Sequence, residues 1–210
     1  MKNNHLRQYE DHLVKEKNLL HIAGFDEAGR GPLAGPVVAA AVILPITYNN
    51  EKINDSKKLT AKKREALFDE IKDNALAYSI IEIDSKIIDK INILNATKMA
   101  MVKALNALDI KPEFLLTDHV PLPVRTPQFN IVKGDSKSIS IAAASILAKV
   151  YRDRLMNTEH ENFPFYNFKK NMGYGTKEHL EALKEHGICD IHRKTFSPIK
   201  QMINPQTTLF

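Results

Sequence analysis

Gly24-Phe25-Asp26-Glu27-Ala28-Gly29-Arg30-Gly31 follows directly on the apolar run Leu19-Leu20-His21-Ile22-Ala23. The run reads as a buried strand over residues 19–25, so two adjacent carboxylates stand at its mouth. Such a pair is costly there unless a cation or a hydrogen-bond network neutralises it. Hard divalent metals are the usual cation for a site built from oxygen alone. The glycines on either side of Arg30 let backbone approach a ligand where a side chain would obstruct it. Carboxylates to hold metal, with bare backbone beside them, point to chemistry on a phosphate-bearing substrate.

Working outward, residues 36–44 form a second strand, apolar on both faces and therefore central in a sheet. Asp55-Ser56-Lys57-Lys58-Leu59-Thr60 is a polar loop, with Thr60 placed to cap a helix over 61–74. A strand over 75–84 then completes a three-stranded meander. Residues 94–109 are helical by pattern, with Leu94, Met101, Val102, Leu105 and Leu108 on one face, interrupted by Lys98. Phe114-Leu115-Leu116-Thr117-Asp118 is a short buried strand closed by a carboxylate, and residues 128–133 form another that ends at Gly134-Asp135. The clearest helical period follows, in Ile139, Ala142, Ala143, Ile146, Leu147 and Val150. From Phe163 the chain is richer in Pro, Gly and aromatics, with one further helix over 177–186. Strands in a run, then alternating with helices, predict an α/β sandwich around a mixed sheet.

The totals agree with one compact enzyme-sized unit. The chain has 210 residues, 43% hydrophobic and 26% charged, the proportions of an ordinary globular protein. Its organisation reads as a charged lead over 1–18, a main domain over 19–197 and a tail over 198–210. A formal charge of +5 favours a polyanionic partner. Cys189 is the sole cysteine, which excludes an internal disulfide and points to a reducing compartment. The start of the chain lacks the apolar core of a secretory signal, and no apolar stretch is long enough for a bilayer. A cytoplasmic protein, monomeric by default and without a membrane partner, is the expectation.

Three aspartates share one kind of location. Asp26, Asp118 and Asp135 each close an expected strand, and Glu27 follows the first. If the strands bearing Asp26 and Asp118 are parallel neighbours, their ends meet at the sheet edge where open α/β sheets bind ligands. An all-carboxylate set suits Mg²⁺ or Mn²⁺, whereas zinc would prefer histidine or cysteine. Taken singly, each Asp could instead cap a turn or pair with a nearby base, and Asp135 is well placed to N-cap the following helix. The Asp26-Glu27 pair resists that reading, because adjacent like charges repel unless something positive lies between them. Asp153 competes for the fourth ligand position. It lies about five helical turns beyond Asp135 at roughly 1.5 Å per residue, so it is assigned to a pair with Lys149 or Arg152.

These motifs taken in order resemble bacterial ribonuclease HII. The resemblance rests on Asp26-Glu27-Ala28-Gly29-Arg30-Gly31-Pro32, Asp55-Ser56-Lys57-Lys58-Leu59, Lys133-Gly134-Asp135-Ser136, Ala142-Ala143-Ala144-Ser145-Ile146-Leu147-Ala148-Lys149-Val150 and Gly173-Tyr174-Gly175-Thr176. His186-Gly187 and His192-Arg193-Lys194-Thr195-Phe196 extend it, so that it runs from about residue 22 to 196. It implies a ribonuclease H-like fold: a mixed five-stranded sheet flanked by helices, with a small helical C-terminal extension. It implies a metal-dependent endonuclease that cuts RNA strands paired with DNA, with Asp26, Glu27, Asp118 and Asp135 as catalytic metal-binding carboxylates. Ribonuclease HIII, a sibling with an extra N-terminal domain, is disfavoured by a first strand as early as Leu19. A non-catalytic nucleic-acid binder would leave the acidic pair unexplained, since bare carboxylates repel phosphates.

The chemistry so implied uses two metals about 3.5–4 Å apart, one activating water and the other steadying the leaving group, to give 5′-phosphate and 3′-hydroxyl ends. Choosing ribose means sensing one 2′-hydroxyl. The Gly29-Arg30-Gly31 backbone offers amides and a carbonyl for that purpose, and Tyr174 a ring for the adjoining sugar. By the resemblance this permits incision 5′ of a lone ribonucleotide in duplex DNA. Lys57, Lys58, Ser136 and Lys137 are candidate phosphate contacts, or simply a solvated surface. Finally, Gln206-Thr207-Thr208-Leu209-Phe210 resembles the short peptides that dock on sliding clamps, with Gln206, Leu209 and Phe210 as anchors; a frayed terminus is the alternative.

Overall fold

The computed structural model describes residues 5–204. The proposed clamp anchors Gln206, Leu209 and Phe210 therefore lie outside the described residues. Five strands make one mixed sheet: β1 (Ile22–Ala28), β2 (Val37–Ile43), β3 (Ala77–Ile83), β4 (Phe114–Asp118) and β5 (Gln128–Ile131), in the order β3-β2-β1-β4-β5. β1, β2 and β3 are the expected antiparallel meander, while β4 joins β1 and β5 joins β4 in parallel. β2 is buried along its whole length, as its unbroken Val-Ala run requires.

Helices cover both faces: α1 (Gln8–Lys17), α2 (Ala61–Asn74), α3 (Ser85–Ile91), α4 (Ile93–Asn106), α5 (Ile139–Asn162), α6 (Phe168–Asn171), α7 (Lys177–His186) and α8 (Ile199–Ile203). Side chains alternate along the strands, so Val38, Ala40 and Val42 pack under α5 and α2, while Phe25, Ala39 and Ala41 pack under α4. α5 presses close to the sheet. A Cβ on Gly24 would lie 2.1 Å from the Ser140 backbone, so only glycine fits at the crossing. The C-terminal helices enclose a smaller core of Leu33, Ala34, Met156, Phe168, Leu183 and Ile199.

Several boundaries differ from those read in the sequence, each for a physical reason. β1 continues to Ala28, so Asp26 and Glu27 are strand residues, paired in register with Ala40 and Ala39, and not a cap on its end. β5 stops at Ile131, and Asp135 sits in a tight turn over Gly134–Ser136. Asp135 does not cap α5; Ser138 does, accepting from the Ile141 amide. In α4 the buried stripe is Ala96, Thr97, Ala100, Met101 and Ala104, and Leu94 is exposed. Small residues there let the helix approach the sheet, which a pattern keyed to large side chains overlooks. α1 was unread because its apolar positions are few, and α3 because seven residues are too short to establish a helical period. α1 is anchored by buried Leu13 and by Glu10, whose carboxylate accepts from the Ser138 hydroxyl at 2.6 Å and the Ser140 amide at 3.0 Å.

Candidate metal centre and cleft

The parallel register sets the centre of the site. Phe25 pairs with Thr117, so Asp26 and Asp118 are the next residues on two neighbouring strands running the same way. The turn after β5 brings Asp135 to them, locked by the Gly134 amide donating to Asp118 Oδ1 at 2.9 Å. One carboxylate oxygen from each of Asp26, Asp118 and Asp135 lies within 4.8 Å of the others. This donor set is all oxygen, compact and largely buried, which fits a hard divalent cation.

Glu27 is not one of the three, but it lines the same cleft as Asp26, and its carboxylate is close enough to feel the charges of Asp118 and Lys57. Its Oε1 accepts from Arg30 Nη1 at 3.2 Å, and its Oε2 is buried with no hydrogen-bond partner. An orphaned carboxylate oxygen at the margin of a cation site is a free ligand position.

Without a cation the cluster is electrostatically uncomfortable. Burial, and then the adjacent Glu27 charge, hold the Asp26 carboxyl well above the usual range, even though it accepts from the Glu27 amide at 2.7 Å. Burial also raises Glu27, against the pull of Arg30. Asp135 is raised by burial and by Asp55, with Lys57 opposing. Lys57 Nζ meets Asp135 Oδ2 at 3.3 Å; against burial, which lowers it, Asp135 lifts the ammonium above its usual value. Arg30 and Lys57 supply part of the missing positive charge, while Asp26 has no ion pair among the described residues.

A cleft of about 320 Å³ opens beside the cluster, walled by the Asp26–Gly31 segment, Ser56, Lys57, Tyr174 and three residues of α5: Ser145, Lys149 and Arg152. The α5 residues were missed in the sequence. Their signal is a polar stripe at 145, 149 and 152 on a helix otherwise read for its alanines. Ser145 shares a 2.9 Å bond with the buried Ser56 hydroxyl, tying the Asp55–Leu59 loop to α5. Asp153 is out of the site, at 2.5 Å from Lys149 Nζ and 3.8 Å from Arg64. Its expected pairing with Lys149 is present, whereas Arg152 points elsewhere, onto the backbone carbonyls of Ala34, Pro36 and Met172.

The glycine segment and Tyr174 face each other across the cleft. Gly29 has φ +94°, and a Cβ on it would fall 2.0 Å from Arg152 Nε. Gly31 is different, since a Cβ there would meet only Tyr174 Cε1 at an ordinary 3.5 Å. The Leu33 amide donates to the Gly173 carbonyl at 2.8 Å, stitching the two loops together. Tyr174 is half exposed, with its carbonyl held by His179 Nδ1 at 2.8 Å. The remaining expected contacts are dispersed. Lys58 and Lys137 are exposed and line no part of the cleft, and the Ser136 hydroxyl is turned back to the Lys133 carbonyl at 2.9 Å.

Residues 23–199 match the protein family described as Ribonuclease HII. A Bacillus mycoides protein named Ribonuclease HII is 54% identical over 198 residues, spanning 94% of this chain and 77% of that protein. Among solved structures, ribonuclease H2 from Pyrococcus horikoshii superposes with a TM-score of 0.74 at 27% identity, covering 87% of this chain and 97% of its own. An Archaeoglobus fulgidus RNase HII, solved in complex with PCNA, gives 0.70 at 27% identity over 84% and 95% of the two chains.

Proposed function

The chain belongs to the ribonuclease HII family, and from that premise we propose how its residues divide the work of cutting the RNA strand of an RNA–DNA hybrid, or DNA at an embedded ribonucleotide. The observation that carries the reading is the gathering of Asp26, Asp118 and Asp135 within 4.8 Å beside a glycine-lined cleft. Asp26, Asp118 and Asp135 hold divalent cation, with Glu27 offering its unpartnered Oε2 as a further ligand. Mg²⁺ or Mn²⁺, two ions in all, is the occupant such oxygen ligands favour. A divalent cation bound there supplies an activated water and neutralises charge on the scissile phosphate.

The chain's own groups do the rest. Arg30 and Lys57 flank the acids and exchange their carboxylate partners for phosphate oxygens when duplex enters. Their positive charge restores attraction for a polyanion that the acids alone would repel. The Gly29-Arg30-Gly31 backbone and the Tyr174 ring contact the sugar on either side of the cut. Water is the attacking group and the 3′-oxygen the leaving group, which gives 5′-phosphate and 3′-hydroxyl ends. Incision falls 5′ of a single ribonucleotide.

The test is cleavage of duplex DNA holding one ribonucleotide, with and without Mg²⁺, by the natural chain and by Asp26→Asn. We expect incision only with both metal and Asp26. A 2′,3′-cyclic phosphate at the cut, or undiminished activity in the variant, overturns the assignment. The same reading takes in the cytoplasm, a monomer, the division into residues 1–18, 19–197 and 198–210, and a sliding clamp as partner of the tail. The PCNA complex of the Archaeoglobus relative supports the last of these. Truncation after Pro205 should weaken clamp binding, and equal affinity of the two forms ends that part of the proposal. No helix among the described residues is long and apolar enough to cross a membrane.

A further inference from the structure

Behind the cleft, Arg193 is fully buried, and among the described residues no carboxylate lies within salt-bridge distance of it. Its whole guanidinium is spent on main-chain carbonyls. Nε donates to Gly35 O at 3.0 Å, Nη1 to Arg30 O at 2.9 Å, and Nη2 to Gly29 O at 2.6 Å and Gly35 O at 2.9 Å. Burying an unpaired cation is expensive, and a core position that only needed filling would carry an apolar side chain. Burial draws its pKa down to about 9, still cationic at neutral pH.

The consequence for the glycine segment follows from peptide geometry. The Ser197-Pro198 bond is the cis peptide of the described chain, so the planes joining Gly29 to Arg30 and Arg30 to Gly31 are trans. In a trans peptide the N–H points opposite to the C=O. With the Gly29 and Arg30 carbonyls turned onto Arg193, the Arg30 and Gly31 amides must point away from it. Neither amide donates to any protein group among the described residues. A Cβ on Gly31 would touch the Tyr174 ring, so these amides open on the space between the segment and that ring. A buried charge on the carbonyl side also polarises both peptide units and strengthens their N–H groups as donors.

We propose that Arg193 is the positioning residue for ribose recognition: by gripping the Gly29 and Arg30 carbonyls it aims the Arg30 and Gly31 amides at the 2′-hydroxyl. The inference rests on the functional reading above and sharpens it, because the Gly29 and Arg30 carbonyls are turned onto Arg193 and the Arg30 and Gly31 amides are left facing the cleft. The ribose hydroxyl is then read as an acceptor. Lysine is no substitute. A single ammonium lacks the planar fork that spans three carbonyls.

The experiment compares the natural chain with Arg193→Lys on two duplexes. One holds a single ribonucleotide and gives KM and kcat; the other is all-deoxy and gives Ki as a competitive inhibitor. We expect KM for the ribonucleotide duplex to rise about tenfold in Arg193→Lys, while Ki for the all-deoxy duplex stays within about twofold. A residue that served only stability would weaken both together or neither. A second measurement uses the natural chain with Ca²⁺. The Arg30 and Gly31 amide ¹H–¹⁵N resonances should move with the ribonucleotide duplex and stay in place with the all-deoxy one; this decides the matter if Arg193→Lys does not fold. An unchanged ratio of KM to Ki, or identical amide shifts with both duplexes, overturns the proposal. Failure of the natural chain to cut at the ribonucleotide would instead overturn the functional reading.

Discussion

At Gly29 and Gly31 the same residue type answers two different demands. Gly29 is required by the protein itself, through its positive φ and the Arg152 side chain packed on it. Alanine there should cost at least about 1–3 kcal/mol of stability, seen as a drop of about 2–4 °C in Tm for each kcal/mol. Gly31 has room for a methyl group in the free protein. Gly31→Ala should therefore leave Tm nearly unchanged while raising KM on a single-ribonucleotide duplex by about tenfold. Equal losses of stability in the two variants would refute that division. Asp26 shows the opposite trade. Its carboxyl is held well above the ordinary range by burial and Glu27, so it carries a charge the fold resists. Asp26→Asn should raise the Tm of the metal-free protein at pH 8 by roughly 2–4 °C and abolish cleavage. The gain should shrink when Mg²⁺ is added to both proteins.

The loop over Asp55–Leu59 separates two lysines that look equivalent in sequence. Lys57 is bonded to Asp135 and faces the acids, whereas Lys58 is exposed and outside the cleft. Lys57→Ala should lower the Mg²⁺ concentration for half-maximal activity, because a competing cation is gone, and raise KM for duplex. Lys58→Ala should leave the Mg²⁺ dependence alone and reduce the salt slope by at most about one unit. Titrations of activity against Mg²⁺ and KCl check both. At this scale the strands were the most legible elements, since unbroken apolar runs such as residues 37–43 have few other fates. All three aspartates of the candidate metal centre were legible in the sequence as residues closing expected strands; what was not legible is the route of Asp135, which reaches the others through a turn whose path no local pattern dictates. Ser145, Lys149 and Arg152 stayed hidden because the first half of α5 is buried nearly all round, so the polar stripe had no exposed face beside it to mark it. Arg152 and Arg193 were unreadable for a simpler reason. Their partners are backbone carbonyls, which every residue has.

For the molecule entire, two sets of buried groups pull its acid–base behaviour in opposite directions. The raised carboxyls of Asp26, Glu27 and Asp135 favour the metal-free fold below their unfolded pKa of about 4, a contribution lost as pH rises through their higher folded values. The buried His179–His192 pair behaves the other way. Burial lowers both, His192 to about 4, so their contribution is full above about pH 6.5 and is lost as pH falls toward 4. Mg²⁺ relieves only the first set, and it competes with protons for the same oxygens. The increase in Tm on adding Mg²⁺ should thus be larger at pH 8 than at pH 5.5, measured by thermal unfolding at fixed ionic strength. An increase that is equal at both values would show that the acids are not where the metal acts.

Arg193 grips Gly29 across 164 positions of chain. A polypeptide still emerging from the ribosome owns all four acids well before it owns that guanidinium. Such an unfinished chain holds the proposed metal ligands but not the residue proposed to aim the sugar sensor, so on that proposal discrimination between ribose and deoxyribose waits until position 193 has been made.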